Sequence, residues 1–412
     1  MESTRRNALK LGMVGAALAQ AAVPSGSVAQ TAPASAAVRD EFPGLRGTYL
    51  NSASVHPLTR GAAQAMAKYA EAKVQGTVPV NSAAVQGKFA RLVNATPAEV
   101  CYVPSTTMGE YLVTAALGLP AARGRIVTDA LHFVGSFHLY QQLAQRGMEL
   151  VVLKMRDDGS IDPKQYEAAI TPDTKLVALS HVSFVNGFEH DMKAICDIAH
   201  ARGVPVFADI IQSAGAVPVD VRAWDVDFAA TGTYKWLMGD FGLAFLYVKA
   251  AVQPRLQRPW FGYLQTSNFF NPPTRLFPHD ASGEPAVQFA QRTDLGGIFN
   301  GSFVARPVEA AVDASLDWLL ARGVGTLQSQ RQPLVDAIQA ELRRRGWAPL
   351  TPQGSRTPIV SFAAKDAAQL APKLTAAGVA VTLTANRIRI SPSVFNDMND
   401  VDRLVGALGN AA

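Results

Sequence analysis

The segment 204–246 decides how this chain is organised; it begins VPVFADIIQSAG and continues from residue 225 as DVDFAATGTYKWLMGDFGLAFL. An apolar run ends at Asp209, Gln212 follows three residues later, and Lys235 comes after the next apolar run. This pattern predicts an acidic residue at the end of a buried strand and a lysine on the next strand-loop unit. Ligands on parallel sheets bind at the carboxyl ends of strands, so the two side chains are candidates for one site.

Composition limits the class of protein. The 412 residues are 48% hydrophobic and 17% charged, which is enough apolar material for one large core or two ordinary ones. A formal net charge of +5 is too small to indicate nucleic-acid binding. Cys101 and Cys196 lie in apolar runs without metal-ligand spacing, so we predict no metal site. Buried free thiols are the favoured interpretation, and a disulfide is the alternative.

The amino terminus predicts an export signal. Thr4–Lys10 (TRRNALK) resembles the twin-arginine pattern, an apolar stretch follows at Leu11–Val23, and cleavage is expected after 27–29 or 34–36. Leu11–Val23 is too short and too weakly hydrophobic to span a bilayer, so we predict no membrane span in the mature protein. The interpretation is a periplasmic protein exported folded by the twin-arginine translocation machinery. The alternative is a disordered basic tail.

Strands and helices alternate through the middle of the chain. This rhythm predicts an α/β fold with a parallel, twisted sheet covered by helices on both faces. The predicted elements are strand Glu99–Pro104, helix Glu110–Leu117, strand Arg125–Thr128, helix Gly135–Arg146, strand Glu149–Lys154, helix Pro163–Ile170, strand Lys175–His181, helix Met192–Arg202 and strand Val204–Asp209.

Candidate ligand contacts fall at the ends of these strands. Thr106 and Thr107, between a strand and a helix, predict a phosphate cradle, although such hydroxyls also serve as ordinary helix caps. Phe133 offers an aromatic face for ring stacking or simple core packing, and His132 is the alternative stacking residue.

Asp209 and Lys235 together suggest a pyridoxal phosphate (PLP) site. A buried acid can hold a pyridine nitrogen protonated, and a desolvated lysine has a lowered pKa that suits imine formation with an aldehyde. The alternatives are a helix-capping role for Asp209 and a solvated loop position for Lys235.

Four motifs carry a resemblance to the class V aminotransferase group of fold-type I PLP enzymes, which includes cysteine desulfurases, isopenicillin N epimerase and kynureninase. The motifs are Tyr49–Ser54 (YLNSAS), Ala208–Ser213 (ADIIQS), Thr233–Leu237 (TYKWL) and Arg387–Pro392 (RIRISP). The resemblance implies a mainly parallel seven-stranded sheet between helices and a small α+β C-terminal domain. After the predicted signal at 1–29 and a flexible leader at 30–41, it divides the chain into a large PLP-binding domain at 42–305 and a connecting helix with the small domain at 306–412.

The same resemblance implies roles for individual residues. Lys235 is the Schiff-base lysine, Asp209 pairs with the pyridine nitrogen and Gln212 meets the phenolic oxygen. Arg389 clamps a substrate carboxylate, with an internal ion pair to Asp397 or Asp400 as the alternative. The remaining implied contacts are Thr106, Thr107, Thr233 and Tyr234 at the phosphate, Phe133 on the ring, Asn51 at the substrate, and Gly297 reaching the partner's cofactor phosphate in a homodimer.

Departures from the family pattern narrow the function. No cysteine follows Cys196, so desulfuration by a persulfide route is not expected. Phe184 stands where many relatives have asparagine, and Tyr234 where others have histidine. We predict an enzyme acting at the α-carbon of an amino acid or amino-bearing peptide, with aminotransferase first. The alternatives are an epimerase or C–S lyase, an enzyme that tailors periplasmic siderophore precursors, and a catalytically silent binding protein with the same fold.

Overall fold

Strands and helices alternate along most of the chain. The structure is a computed structural model, which describes residues 38–268, 275, 282–283, 288–365 and 367–411. The strands are β1 (Thr48–Tyr49), β2 (Val100–Val103), β3 (Gly124–Asp129), β4 (Met148–Leu153), β5 (Thr174–Ser180), β6 (Val206–Asp209), β7 (Phe228–Gly232), β8 (Ala244–Val248), β9 (Val360–Ala363), β10 (Val379–Ala380), β11 (Thr382–Thr384) and β12 (Arg387–Ile390). The helices are α1 (Arg60–Val74), α2 (Ser82–Leu92), α3 (Thr106–Ala116), α4 (Ser136–Gln145), α5 (Pro163–Ala169), α6 (Met192–His200), α7 (Val221–Trp224), α8 (Leu295–Phe299), α9 (Arg306–Arg322), α10 (Val324–Arg344), α11 (Ala367–Ala376) and α12 (Met398–Leu408).

The central sheet has seven strands in the order β2-β8-β7-β6-β5-β3-β4. Strands β3 to β7 pair in parallel, and β8 is antiparallel to both β7 and β2. The predicted α/β fold with a mainly parallel seven-stranded sheet is therefore confirmed. The turn from β7 into antiparallel β8 carries Lys235, one strand away from the end of β6, where Asp209 lies.

Helices bury both faces of the central sheet. Alternating residues of β6 show this directly, because Val206 and Ala208 pack into one apolar cluster and Phe207 into the other. The two cysteines are also divided between the clusters, Cys196 in the first and Cys101 in the second. Both are buried free thiols, as favoured from the sequence, and the alternative disulfide is not formed.

A second, three-stranded antiparallel sheet forms in the C-terminal part, in the order β11-β12-β9. Ile388 and Ile390 of β12 point into an apolar cluster shared with α10 and α12. The amino-terminal strand β1 pairs in parallel with β10. The segment that follows β1 is thereby held against the C-terminal part, which places Asn51 beside Ser391.

The structure differs from the sequence pattern in two places. The apolar alternation at 379–383 predicts a single strand, but the segment forms two short strands, because Val379 and Ala380 pair with β1 whereas Thr382 to Thr384 pair with β12. Helix α2 was not predicted, although Asn81 caps it by accepting the Ala84 N–H at 3.2 Å.

The predicted export signal at 1–29 lies outside the described residues, as does most of the leader at 30–41. Within the described part of the chain, no helix has the length and apolar character that a membrane crossing requires. The described residues likewise contain no group of three or more histidine, cysteine or acidic side chains placed to hold a metal ion.

Candidate active site

The loop between β7 and β8 holds Lys235 in a fixed position. Its backbone folds back on itself, since Met238 N donates to Lys235 O at 2.8 Å and Gly239 N donates to Thr233 O at 2.8 Å. The Thr233 hydroxyl donates to Asp240 O and Leu243 O, at 2.7 and 3.0 Å. Met238 has a φ of 52°, a left-handed conformation that an unbranched residue adopts only when its surroundings impose it. These contacts leave only 8% of Lys235 exposed.

Lys235 and Asp209 are buried charges without a close partner in the described part of the chain. Burial lowers the pKa of Lys235 to about 8, although Asp209 opposes the shift, and burial raises the pKa of Asp209 to about 6. One oxygen of Asp209 accepts the Ile211 N–H at 2.9 Å. Neither its second oxygen nor the Lys235 Nζ makes a hydrogen bond to a described residue. Such groups are costly to bury unless a ligand satisfies them, so the pair marks a ligand site.

His132 is occupied by protein contacts on both ring nitrogens. Nδ1 lies 2.9 Å from Ser180 Oγ and Nε2 lies 3.0 Å from Glu110 Oε1, and all three residues are buried. Burial lowers the pKa of His132, but the Glu110 carboxylate outweighs burial and the net shift is upward. His132 also lowers the pKa of Asp209, in opposition to burial.

The neighbouring Phe133 contacts Phe184, whose carbonyl accepts from Arg389. It is half-buried and makes an edge contact with Phe184, with ring centroids 5.6 Å apart. Because the His132 imidazole is held by Ser180 and Glu110, Phe133 is the better placed of the two aromatic residues for stacking on a ligand ring.

The start of α3 retains donors for an anion. Ser105 caps the helix by accepting the Met108 N–H, and Thr106 Oγ1 accepts the Gly232 N–H at 2.7 Å. The hydroxyl hydrogen of Thr106 and the exposed Thr107 side chain make no hydrogen bond to described residues. First-turn backbone N–H groups also have no intrahelical acceptor, so this helix start fits a phosphate.

Three other residues that were predicted to contact the cofactor already make contacts within the protein. The Thr233 hydroxyl already donates to backbone carbonyl oxygens, so this side chain is not free to donate to a ligand. Tyr234 stacks on Phe241 with ring centroids 4.2 Å apart. Gln212 donates from Nε2 to Ala53 O and accepts the Trp236 indole N–H, which leaves one amide hydrogen for a ligand.

Gly297 lies in the short helix α8, and its N–H is engaged. Asp294 accepts it at 3.0 Å, and the Gly297 carbonyl accepts from Arg258 Nε at 2.7 Å. A Cβ at Gly297 would meet the Arg292 carbonyl oxygen at 2.4 Å, so close backbone packing requires glycine here. The predicted contact with a partner's cofactor phosphate remains a prediction.

Arg389 reaches the site from β12. Its guanidinium donates to Phe184 O at 3.1 Å, Ser54 Oγ at 2.6 Å and Thr382 Oγ1 at 3.0 Å. The Ser54 and Thr382 hydroxyls in turn donate to Asn51 Oδ1, which leaves their lone pairs directed at the arginine. Burial lowers the pKa of Arg389 to about 10, and Arg389 in turn lowers that of Lys235.

The alternative ion pair of Arg389 with Asp397 or Asp400 is wrong. Asp400 instead bonds to Arg39, Thr48 and Asn396, and Asp397 caps α12. Arg389 therefore has no carboxylate partner among the described residues.

Sequence reasoning missed several residues around the site. Glu110 stands one turn into α3 within an apolar helix, and a buried carboxylate there was the available signal. Ser54 and Thr382 carry no such signal, because each acts through a contact with a residue distant in the chain. Ser180 follows the apolar run of β5 and could be predicted as a strand-end residue, but its contact with His132 could not.

Comparison with known proteins decides the family. The family described as aminotransferase class-V matches residues 53–269. A probable cysteine desulfurase of Methanothermobacter thermautotrophicus is 30% identical over 316 residues, 74% of each chain. This chain belongs to the class-V aminotransferase family. An uncharacterized aminotransferase of Bacillus subtilis is 34% identical over 206 residues, 49% of this chain and 54% of the relative's length.

Solved structures show the same fold. The Escherichia coli cysteine desulfurase CsdA superimposes with a TM-score of 0.78 at 21% identity, covering 92% of this chain and 98% of that one. The cofactor of the family is PLP.

The residues of this chain fit that cofactor. Among the described residues, the Lys235 amine has no hydrogen-bond partner and one Asp209 carboxylate oxygen accepts no hydrogen bond, although Lys235 Nζ lies 5.5 Å from the centroid of the Tyr234 ring. Thr106 and Thr107 supply donors at a helix start, and Phe133 supplies an aromatic face. Sites with unpaired buried groups of both signs are typical of ligand binding.

Proposed function

We propose that this class-V enzyme transfers the amino group of a small amino acid, with Arg389 holding the α-carboxylate. The observation that supports this is a buried arginine, without an acidic partner in the described residues, in electrostatic contact with the equally unpaired Lys235. An arginine fork matches a carboxylate bidentately, and this pairing fixes the Cα of the substrate relative to the lysine.

Lys235 would act as the proton carrier at Cα. A pKa of about 8 leaves roughly a tenth of the amine neutral at pH 7, against less than a thousandth for an ordinary lysine. The neutral amine can take the Cα proton and return it elsewhere. PLP, when bound, supplies an aldehyde and an electron-withdrawing ring. Asp209, ionised above pH of about 6, would hold the proton on the ring nitrogen.

Arg389 and Phe133 determine how the substrate is placed. The acceptors that hold Arg389 come from the loop after β1, from the 183–187 loop and from β11, so all three must meet before the carboxylate site is complete. The Phe133 face would limit tilting of the ring.

A lyase or epimerase acting through the same residues is the second candidate. A persulfide route is disfavoured, because both cysteines are buried and burial raises the pKa of each thiol above its ordinary value. A siderophore-precursor peptide is the alternative substrate, in which case a side chain or terminal group would replace the α-carboxylate.

The deciding experiment is a spectral screen of the purified holoenzyme with amino acids and small peptides, with and without a 2-oxo acid acceptor. Aminotransfer requires new amino acid from the acceptor. Product formed without an acceptor indicates elimination, and loss of optical purity alone indicates epimerisation. Yellow-coloured protein that is unchanged by every candidate would favour a silent binding protein.

Export and assembly complete the proposal. We infer a periplasmic homodimer carried by the twin-arginine machinery, supported by the Arg5–Arg6 pair and by the family resemblance. Arg5→Lys with Arg6→Lys should retain the protein in the cytoplasm, since lysine does not reproduce a guanidinium contact. Export of the double variant at the parent level would remove this proposal. Light scattering measures assembly, and an active monomer would contradict the dimer.

A further inference from the structure

We propose that the substrate of this site carries a second acidic group, which is bound by Arg387. This inference rests on the proposed function, because it adds a side-chain contact to the carboxylate site at Arg389.

The two arginines lie on one face of β12. Side chains alternate along a strand, so Arg387 and Arg389 share a face while Ile388 and Ile390 are buried in the apolar cluster behind it. Successive residues on one face are about 7 Å apart along the strand. The two guanidinium groups therefore belong to adjacent positions.

That face of the small sheet is directed at the active-site loop. Ser361, opposite Arg389 in the register, donates to Val185 O at 2.8 Å, and Arg389 donates to Phe184 O. Arg387 stands two residues before Arg389 in the same row, opposite Ala363, and is half-buried. The row therefore runs from the buried Arg389 to the more exposed Arg387.

Neither arginine has an acidic partner in the described residues. The Nε of each is buried and makes no hydrogen bond there. Burial lowers the pKa of Arg387, and burial followed by the charge of Arg387 lowers that of Arg389. Two neighbouring cations without a counter-ion are unfavourable unless a ligand supplies negative charge.

The ligand chemistry follows from this arrangement. A guanidinium fork binds a planar carboxylate better than a lysine ammonium does, and each of two forks can take one. The substrate class is therefore a dicarboxylic amino acid, with its α-carboxylate at Arg389 and its side-chain acid at Arg387.

Calorimetric titration of the holoenzyme with glutarate and with butyrate tests the inference. The two acids have similar carbon chains and differ in the second carboxylate. The parent should bind glutarate at least ten-fold tighter than butyrate. Arg387→Gln should remove this difference without weakening butyrate, Arg387→Lys should restore little of it, and Arg389→Gln should weaken both acids.

The matched control is Arg202→Gln, which changes an exposed arginine at the end of α6 and should keep the parent preference. A parent without the preference, or an Arg387→Gln variant that retains it, overturns the inference. If neutral amino acids are converted while glutarate shows no advantage, the second site is wrong and the proposed function stands. If glutarate binds through Arg387 while no amino acid is converted, the proposed function fails separately.

Discussion

The Nε2 of His132 lies 3.0 Å from Oε1 of Glu110, and both side chains are buried behind Asp209. Ser136 and Tyr140 donate to the same carboxylate, so three side chains from α4 and the loop before it hold Glu110. Burial raises the pKa of Asp209; His132 opposes this shift, and the Glu110 carboxylate adds to it.

Glu110→Gln should destabilise the protein by about 3–5 kcal/mol, because it leaves a buried histidine without its counter-charge. Urea unfolding measures the free energy. The control is Glu149→Gln, which breaks a partly exposed ion pair with Arg125 and should cost less than about 1 kcal/mol. Equal losses in the two variants would contradict a special role for the buried pair.

The stabilisation by the Glu110–His132 pair should depend on pH on both sides of neutrality. The folded-state pKa of Glu110 is lowered by His132 against the effect of burial, so its contribution is lost as the pH falls below about 4.5. The pKa of His132 is raised, so its contribution is complete below about 6.5 and is lost at higher pH. The difference in unfolding free energy between parent and Glu110→Gln should be largest between these values. A difference that is constant from pH 4 to 9 would show that the pair is uncharged.

Lys235 should react with the cofactor mainly as a neutral amine. Its pKa of about 8 predicts that the rate of PLP uptake by the apoprotein rises with pH and levels off above about 8. Borohydride should then fix the cofactor to Lys235, and Lys235→Ala should prevent this. Lys193→Ala removes an exposed lysine and serves as the control. A rate still rising at pH 10 would mean that the lysine is not desolvated.

Asp209→Asn should keep the cofactor bound and lower kcat by roughly 100-fold or more, because the amide cannot hold a proton on the ring nitrogen. The parent should lose activity as the pH falls through about 6, where Asp209 takes up a proton. Asp157→Asn, at an exposed position, should leave both kcat and the loss of activity near pH 6 unchanged. Full activity of Asp209→Asn would rule out this role.

Phe133→Leu should weaken PLP binding by up to about 10-fold, since aromatic stacking contributes about 0.5–1.5 kcal/mol beyond burial. Equilibrium dialysis gives the affinity. Phe261→Leu, at a side chain that is 83% exposed, is the comparison. If Phe133→Leu binds PLP as the parent does, another residue faces the ring.

The sequence predicts those site residues that directly follow a strand. Asp209 and Lys235 could be predicted because each follows an apolar run within the βαβ order, and the ends of such strands share one edge. The orientation of the His132 ring could not be predicted from the sequence, because it depends on contacts with Glu110 and Ser180 from two other elements. The break between β10 and β11 within residues 379–384 could not be predicted either, because the two strands differ only in the strands with which they pair. Arg387 and Arg389 stand two residues apart, so strand alternation alone predicts that they share a face. The contacts of Arg389 could not be predicted, because they join it to segments distant in the chain.

Cys101 and Cys196 are buried in separate apolar clusters, which limits how the protein responds to oxidising conditions. Burial raises the pKa of both thiols, which keeps them in the unreactive protonated form. The fold is held without a covalent cross-link, so a change from reducing to oxidising surroundings leaves its stability unaltered. A protein that folds before export and works in the periplasm, as proposed, would have to tolerate this change.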